Sequence, residues 1–224
     1  LVKSRTQDVE VYADAEIIIE GEIIPNERRH DGPVGESTGY HYSGQCPAAR
    51  ITAVTHRAQP IYYALVPFAA ENTLLMGITR EADVLAQLRA PHPGVQHVHL
   101  TQHSVGMLAV IQADKQSDAD GEAILRTVLQ QQMQVKIAVL VDTDIDPYDF
   151  GDLQWSLVTR FQPDRNMFVL SDLPGSPIDP TARDRRTSKM GLDATRPFAE
   201  RAEFERIALE PNARRRVEKI LGNL

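Results

Sequence analysis

Apolar positions in the first seventy residues fall at the period expected of strands. Val9 and Val11 alternate with polar neighbours, and residues 15–22 carry three consecutive isoleucines, Ile17, Ile18 and Ile19. A β-branched run of this kind predicts a strand buried on both faces. Residues 51–56 and 61–66 read as two further strands, with Ala58, Gln59 and Pro60 as their hairpin connection. Between them and the isoleucine run lies 25–47, rich in Gly, Pro, Ser and charge, which reads as a long loop. Loops longer than roughly 12 to 15 residues are uncommon in compact domains and are often functional.

After position 68 the period changes. Leu74, Leu75, Ile78, Val84, Leu85 and Leu88 predict a helix over 71–90, ended by Pro91 and Pro93. Strands are expected at 95–100, 107–112, 136–141 and 167–170, and helices at 118–133 and 148–161. Strands alternating with helices imply an α/β layer with a largely parallel sheet. Residues 171–197 show little periodicity, and 200–221 reads as helical with a break at Pro211.

Composition narrows the function classes. Lys and Arg total 24 against 31 Asp and Glu, a net charge of −7, whereas a dedicated nucleic-acid binder needs a basic surplus. No apolar run approaches the roughly 20 residues that span a bilayer, and no signal peptide is visible. The single Cys46 rules out an intrachain disulfide framework and fits a reducing, cytoplasmic setting. The chain opens on Leu1 as if inside an element, so we expect the C-terminal part of a longer protein.

The long segment carries the candidate chemistry. Asp31 and Glu36 are separated by Gly32, Pro33, Val34 and Gly35. On a helix, carboxylates five apart would diverge by about 140°. In a turn they can face one cavity, where sharing a desolvated site drives their pKa values apart and leaves one protonated as an acid. The plain alternative is a solvated turn with two surface acids.

The stretch Ala15-Glu16-Ile17-Ile18-Ile19-Glu20-Gly21-Glu22-Ile23, followed by Asp31-Gly32-Pro33-Val34-Gly35-Glu36 and Gly39-Tyr40, resembles the UbiD family of decarboxylases. The resemblance continues through Thr52 to His56, Pro60 to Tyr63, Val141 to Asp146, Trp155 with Thr159-Arg160, and Ser188 to Thr195. It implies reversible decarboxylation of an aromatic, heteroaromatic or α,β-unsaturated acid on prenylated FMN, with a divalent metal (Mn or Mg) and potassium held mainly by residues upstream of Leu1. Such a cofactor is needed because CO2 loss from an sp2 carbon otherwise leaves a localised carbanion. By resemblance Glu36 is the proton donor and Asp31 its partner carboxylate. Asp31 departs from the commoner Glu at that position, which alters the reach of the partner carboxylate by one methylene.

The expected fold is α/β (α+β overall). The remnant of an FMN-binding split β-barrel covers 1–70, an αβα C-terminal domain 71–175, and a tail with dimerisation segment 176–224. UbiD-like enzymes dimerise through C-terminal elements, so Lys189 and Asp193 are candidates to bridge protomers in a homodimer, with Ile207, Leu209, Val217, Ile220 and Leu221 as apolar tail surface. Ser188 to Thr195 otherwise serves to anchor the tail.

Other clusters read as structural. Asp142, Asp144 and Asp146 resemble the start of a calcium loop, but Pro147 and Leu153 stand where such a loop needs Gly and Glu. Asp146 or Asp149 is expected to cap the following helix. His97, His99 and His103 lack an acidic or Cys residue between 91 and 111 to complete a metal site. His41 and His56 flank the loop and are candidates to orient substrate, and Cys46 reads as inert. The alternative function is a non-catalytic assembly module, or a lid over a site carried by another segment.

Overall fold

The computed structural model describes residues 1–67, 69–207 and 211–222. Two short strands, β1 (Val2–Lys3) and β2 (Glu10–Val11), pair antiparallel. A long ribbon follows, β3 (Ile17–Gly35) against β4 (His41–His56). The segment 25–47, expected as a loop, therefore forms most of this ribbon. Pro25 and Asn26 do not break it, because they fall in an irregularity between Ile23 and Arg28 where no ladder donor is required. The isoleucine run is not buried on both faces: Ile19 is 64% exposed, and Glu20 is the only buried residue of β3.

Two glutamates of that run, Glu16 and Glu20, act as clamps. Glu20 accepts the backbone N–H groups of Arg5 and Thr6 at 2.8 and 2.6 Å, tying the β1–β2 turn to the ribbon. Glu16 pairs with Arg57 at 2.8 Å and accepts the Ile61 N–H at 3.0 Å. Residues 61–66, expected as a strand, form none. Pro60 interrupts the ladder, and a carboxylate rather than a neighbouring strand takes the Ile61 donor.

The rest of the chain builds three layers. Helix α1 (Ala70–Arg89) leads to β5 (Val95–Leu100) and β6 (Leu108–Ala113), and α2 (Asp118–Gln131) to β7 (Ile137–Val141). After α3 (Phe150–Thr159) and the single turn α4 (Pro163–Asn166) come β8 (Met167–Pro174) and β9 (Arg186–Ala194). The sheet order is β5-β6-β7-β9-β8, with β6, β7 and β9 parallel and the two outer strands antiparallel. Alternation along the central strands splits the core between two faces. Ile111, Ala138 and Leu140 pack with Val84 and Leu88 of α1 and Leu125 and Val128 of α2. Val110, Val139 and Val141 pack with Leu153 of α3, backed by Trp155 and Phe161. Helix α5 (Pro211–Leu221) ends the described chain. No helix among the described residues is long and apolar enough to cross a membrane.

Most of Ser188 to Thr195, expected to anchor the tail, lies in strand β9. It runs through the sheet between β7 and β8, so the span from 176 onward supplies a core strand before it becomes a tail. Lys189 is 1% exposed, and its ammonium donates to the carbonyls of Leu129 and Gln132 at 2.9 and 2.7 Å, closing the C-terminal end of α2. Burial lowers its pKa to about 8. Asp193 is buried against Gly121 of α2, where a Cβ would lie 2.0 Å from its Oδ2. Burial raises its pKa, against the pull of Lys115 at 3.7 Å and of the Thr195 N–H and hydroxyl. Neither side chain is available to bridge protomers. Of the tail residues, Val217, Ile220 and Leu221 are exposed on α5 and Ile207 is fully exposed, whereas Leu209 lies outside the described residues.

The carboxyl ends of β7 and β9 are joined by charge. Asp142, 1% exposed, accepts from Arg160 at 2.7 Å and from the Arg196 backbone N–H at 2.8 Å. Arg160 also grips Asp144 with two bonds of 2.9 and 2.7 Å. Its guanidinium lies over Trp155, with Arg206 also against that ring and paired to Asp152 at 3.0 Å. Asp149 caps α3, accepting the N–H groups of Gly151 and Asp152. The three aspartates that resemble a calcium loop are thus spent on arginines and turns.

Removing one partner of a buried pair leaves an uncompensated charge, so Asp142→Ala should lower unfolding free energy by about 3–5 kcal/mol, read from urea midpoints at neutral pH. Asp179 generates a pH dependence. Burial acts to raise its pKa, but the Lys136 ammonium at 2.8 Å and the Thr181 N–H and hydroxyl outweigh this and hold it at about 2. A folded pKa below the unfolded value gives stability that is complete above pH ~4 and lost as pH falls toward 2. Asp179→Asn should therefore flatten the loss of stability between pH 4.5 and 2 by on the order of 2 kcal/mol, measured by denaturation at each pH.

Candidate active site

The candidate carboxylates sit at the closed end of the ribbon. Asp31 pairs with Gly44, Val34 with Tyr42 and Gly35 with His41, and the register slips between Asp31 and Val34. Gly32 occupies that slip at φ +101°. A Cβ there would stand 2.5 Å from the Tyr42 carbonyl oxygen and 2.8 Å from Ser43 Oγ, so glycine alone fits. The turn closes with the Glu36 N–H donating to the Tyr40 carbonyl and the Gly39 N–H to the Glu36 carbonyl, both at 2.9 Å. Glu36 is half-buried, and its carboxylate accepts from the Ser37 N–H and hydroxyl at 3.1 and 3.4 Å. These bonds are local, so the turn positions the carboxylate while leaving it accessible to a ligand.

Asp31 is exposed on β3. It and Glu36 share the closed end of the ribbon, but no hydrogen bond joins them among the described residues, and neither lines the five cavities of about 450–640 Å³ in the α/β layers. His41 is next to this end, opposite Gly35. His56 is opposite Ile17, at the far end of the ribbon, and its Nδ1 meets the Arg57 carbonyl at 2.6 Å. Of the two flanking histidines, only His41 is placed near Glu36. Cys46 is half-buried in β4.

No group of three or more His, Cys, Asp or Glu side chains converges on a metal position among the described residues. His97 lines a different cavity from His99 and His103, and His99 does find an acid: Glu81 of α1 bonds its Nδ1 at 2.8 Å. That partner lies 18 residues upstream, outside the window in which sequence spacing would look for it.

The arrangement, an acidic turn on a two-stranded ribbon followed by a three-layer α/β unit, has counterparts. The family model for the 3-octaprenyl-4-hydroxybenzoate carboxy-lyase C-terminal domain matches residues 73–194, and that for the Rift-related domain of the same enzymes matches 1–69. Anhydromevalonate phosphate decarboxylase of Methanocaldococcus jannaschii is 33% identical over 198 residues, 86% of this chain and 47% of that protein. Gallate decarboxylase of Lactiplantibacillus plantarum is 32% identical, over 92% of this chain and 47% of its own. The UbiD-class enzyme HmfF of Pelotomaculum thermopropionicum, solved with FMN, superposes with a TM-score of 0.86 at 40% identity, over 92% of this chain and 47% of that one. The chain spans about half the length of the curated relatives it matches. With both family models matched in chain order, the chain belongs to the UbiD family of carboxy-lyases.

Proposed function

We propose that this chain carries the proton-donor carboxylate of a decarboxylase that removes CO2 reversibly from an aromatic, heteroaromatic or α,β-unsaturated acid. Glu36 is the donor and Asp31 its partner. The observation that supports this best is the Glu36 turn itself: glycine-dependent at Gly32, closed by its own backbone, and leaving the carboxylate held, among the described residues, only by Ser37. Relatives named for phenolic acid, gallate and 3,4-dihydroxybenzoic acid put hydroxylated aromatic acids among the candidate substrates.

In the forward direction the bond between the ring or vinyl carbon and the carboxylate breaks, CO2 leaves, and the electron pair stays on carbon. Prenylated FMN, when bound, supplies the electron sink for that pair. Glu36 delivers its proton to the same carbon and is left as a carboxylate for solvent to reprotonate. Asp31, one methylene shorter than glutamate, sits at the same end of the ribbon as its partner carboxylate. The uncovered apolar ribbon face, with Ile19 opposite Val54, fits a planar group or further strands laid against it. No step here passes through the divalent metal or potassium implied by the resemblance.

The assembly reading has one observation in its favour, the exposed Val217, Ile220 and Leu221 of α5. Burying such a side chain is worth roughly 1.5–3 kcal/mol, enough in sum to support a homodimer.

In the full-length protein, Glu36→Gln keeps the shape of the side chain and removes its titrating proton. Turnover and exchange of the substrate hydrogen with solvent should both fall by about 10² to 10⁴, with cofactor content unchanged. Normal turnover in that variant would remove Glu36 from the role. Deleting residues 211–224 should weaken self-association in light scattering, and an unchanged dimer would place the interface elsewhere.

A further inference from the structure

The register of the ribbon decides which side chains share a face with the candidate carboxylates. Opposed residues of an antiparallel pair point to the same side of the sheet, and positions two apart along a strand share that side. Asp31 is opposite Gly44 and Val34 opposite Tyr42, while the Glu36 N–H donates to the Tyr40 carbonyl. One face therefore presents Asp31, Val34 and Glu36 on one strand and Gly44, Tyr42 and Tyr40 on the other. Gly44 and Tyr40 are four residues apart, about 13 Å at the rise of a strand. The short side chain of Asp31 does not cross that distance, so a neighbouring group sets where its carboxylate points.

Tyr42 is that neighbour. A Cβ on Gly44 would stand 2.6 Å from the Tyr42 Oη and 3.0 Å from its Cζ, so the ring leans along β4 with its hydroxyl over Gly44. No left-handed backbone calls for glycine at 44, unlike Gly32 and Gly39. The room above Gly44 is taken by the phenol instead. Cβ positions of directly opposed residues lie about 4.5–5.5 Å apart. The phenol occupies the Gly44 end of that span and the Asp31 side chain starts from the other. A hydrogen-bond donor is thereby within reach of the carboxylate.

The competing cation is engaged. Arg29, on the same face two residues before Asp31, is held by Glu27 through Nε and Nη2, both at 2.7 Å. Among the described residues, no hydrogen bond engages the Tyr42 phenol or the Asp31 carboxylate. Tyr42 is 42% exposed, so its ring does not serve to fill a core.

We propose that Tyr42 positions Asp31: in the full-length protein its phenol donates to the Asp31 carboxylate and fixes it on the face shared with Glu36. The assignment rests on the decarboxylase reading above and adds a residue to it. Tyr42 acts through Asp31, and Gly44 supplies the space that its ring needs.

Two measurements on the full-length protein test this. In a crystal structure, Tyr42 Oη should lie about 2.5–3.0 Å from an Asp31 carboxylate oxygen. A phenol directed away from Asp31 would overturn the assignment. The second measurement is CO2 release from gallate, 3,4-dihydroxybenzoate and anhydromevalonate phosphate. Tyr42→Phe keeps the ring and should lower kcat by about tenfold, with KM changed by less than about twofold. Gly44→Ala puts a methyl group where the phenol sits and should have the same effect with the hydroxyl still present. In an Asp31→Ala background, Tyr42→Phe should cost less than about twofold, because the group it acts through is gone. Undiminished kcat in Tyr42→Phe, or an equal cost in both backgrounds, would sink the proposal. If turnover falls in Glu36→Gln while Tyr42 and Asp31 act independently, the pair is refuted and the reaction spared. The bond seen in the crystal, with no CO2 release from any of the three acids, removes the decarboxylase reading for them and keeps the pair.

Discussion

The α/β unit depends on one buried carboxylate. Asp142 ends β7 and gathers the guanidinium at the end of α3 and the backbone that follows β9. Three elements distant in sequence converge on it, in a place where an unpaired charge would be prohibitively costly. The cost of burying it is offset by Arg160, which Asp144 and Trp155 hold in turn. This fixes the loop 142–149, and with it the position of Tyr148 and of the Asp149 cap that starts α3. Ligands in open α/β sheets collect at the carboxyl ends of parallel strands, and here much of that ground is occupied by the protein's own ion pairs.

The ribbon obeys a different constraint. Its ladder satisfies its backbone, but apolar side chains such as Ile19, Ile23, Ile51 and Val54 remain uncovered. It is held to its surroundings by carboxylates rather than by a core: Glu20 toward the N-terminal strands and Glu16 toward the linker into α1. The acidic turn is thus carried on a stiff arm whose root is clamped and whose tip is organised locally by Gly32 and the Glu36 turn.

Much of this could be read from the chain. The strands at Val95–Leu100 and Ile137–Val141, and helices α1 and α2, follow hydrophobic periods that tertiary packing reinforces. Strand β9 could not be read so easily. Lys189, Gly191 and Asp193 break its pattern, because Lys189 is satisfied by carbonyls of α2 some sixty residues away and Asp193 by Lys115 and Thr195. The ribbon was masked by its Pro and Gly content, which marks a slip and an irregularity in an otherwise paired strand. The motif singled out Glu36 as a candidate, whereas the His99–Glu81 pair had no such signal, since sheet and helix bring those residues together without any local spacing rule.

The contact between Gly121 and Asp193 constrains how this sequence can drift. The helix offers no side chain at 121 because the carboxylate at the end of β9 occupies that volume, with its oxygen where a methyl group would be. A lone alanine at 121 would collide, and a lone smaller residue at 193 would leave a void beside Lys115, whose ammonium would keep Asp118 but lose its second carboxylate. The two positions can therefore change only together, through an exchange that moves bulk from strand to helix and retunes the charge at 115. In a lineage of such proteins they would covary as a pair 72 residues apart (193 minus 121), a signature of packing that could easily be mistaken for one of function.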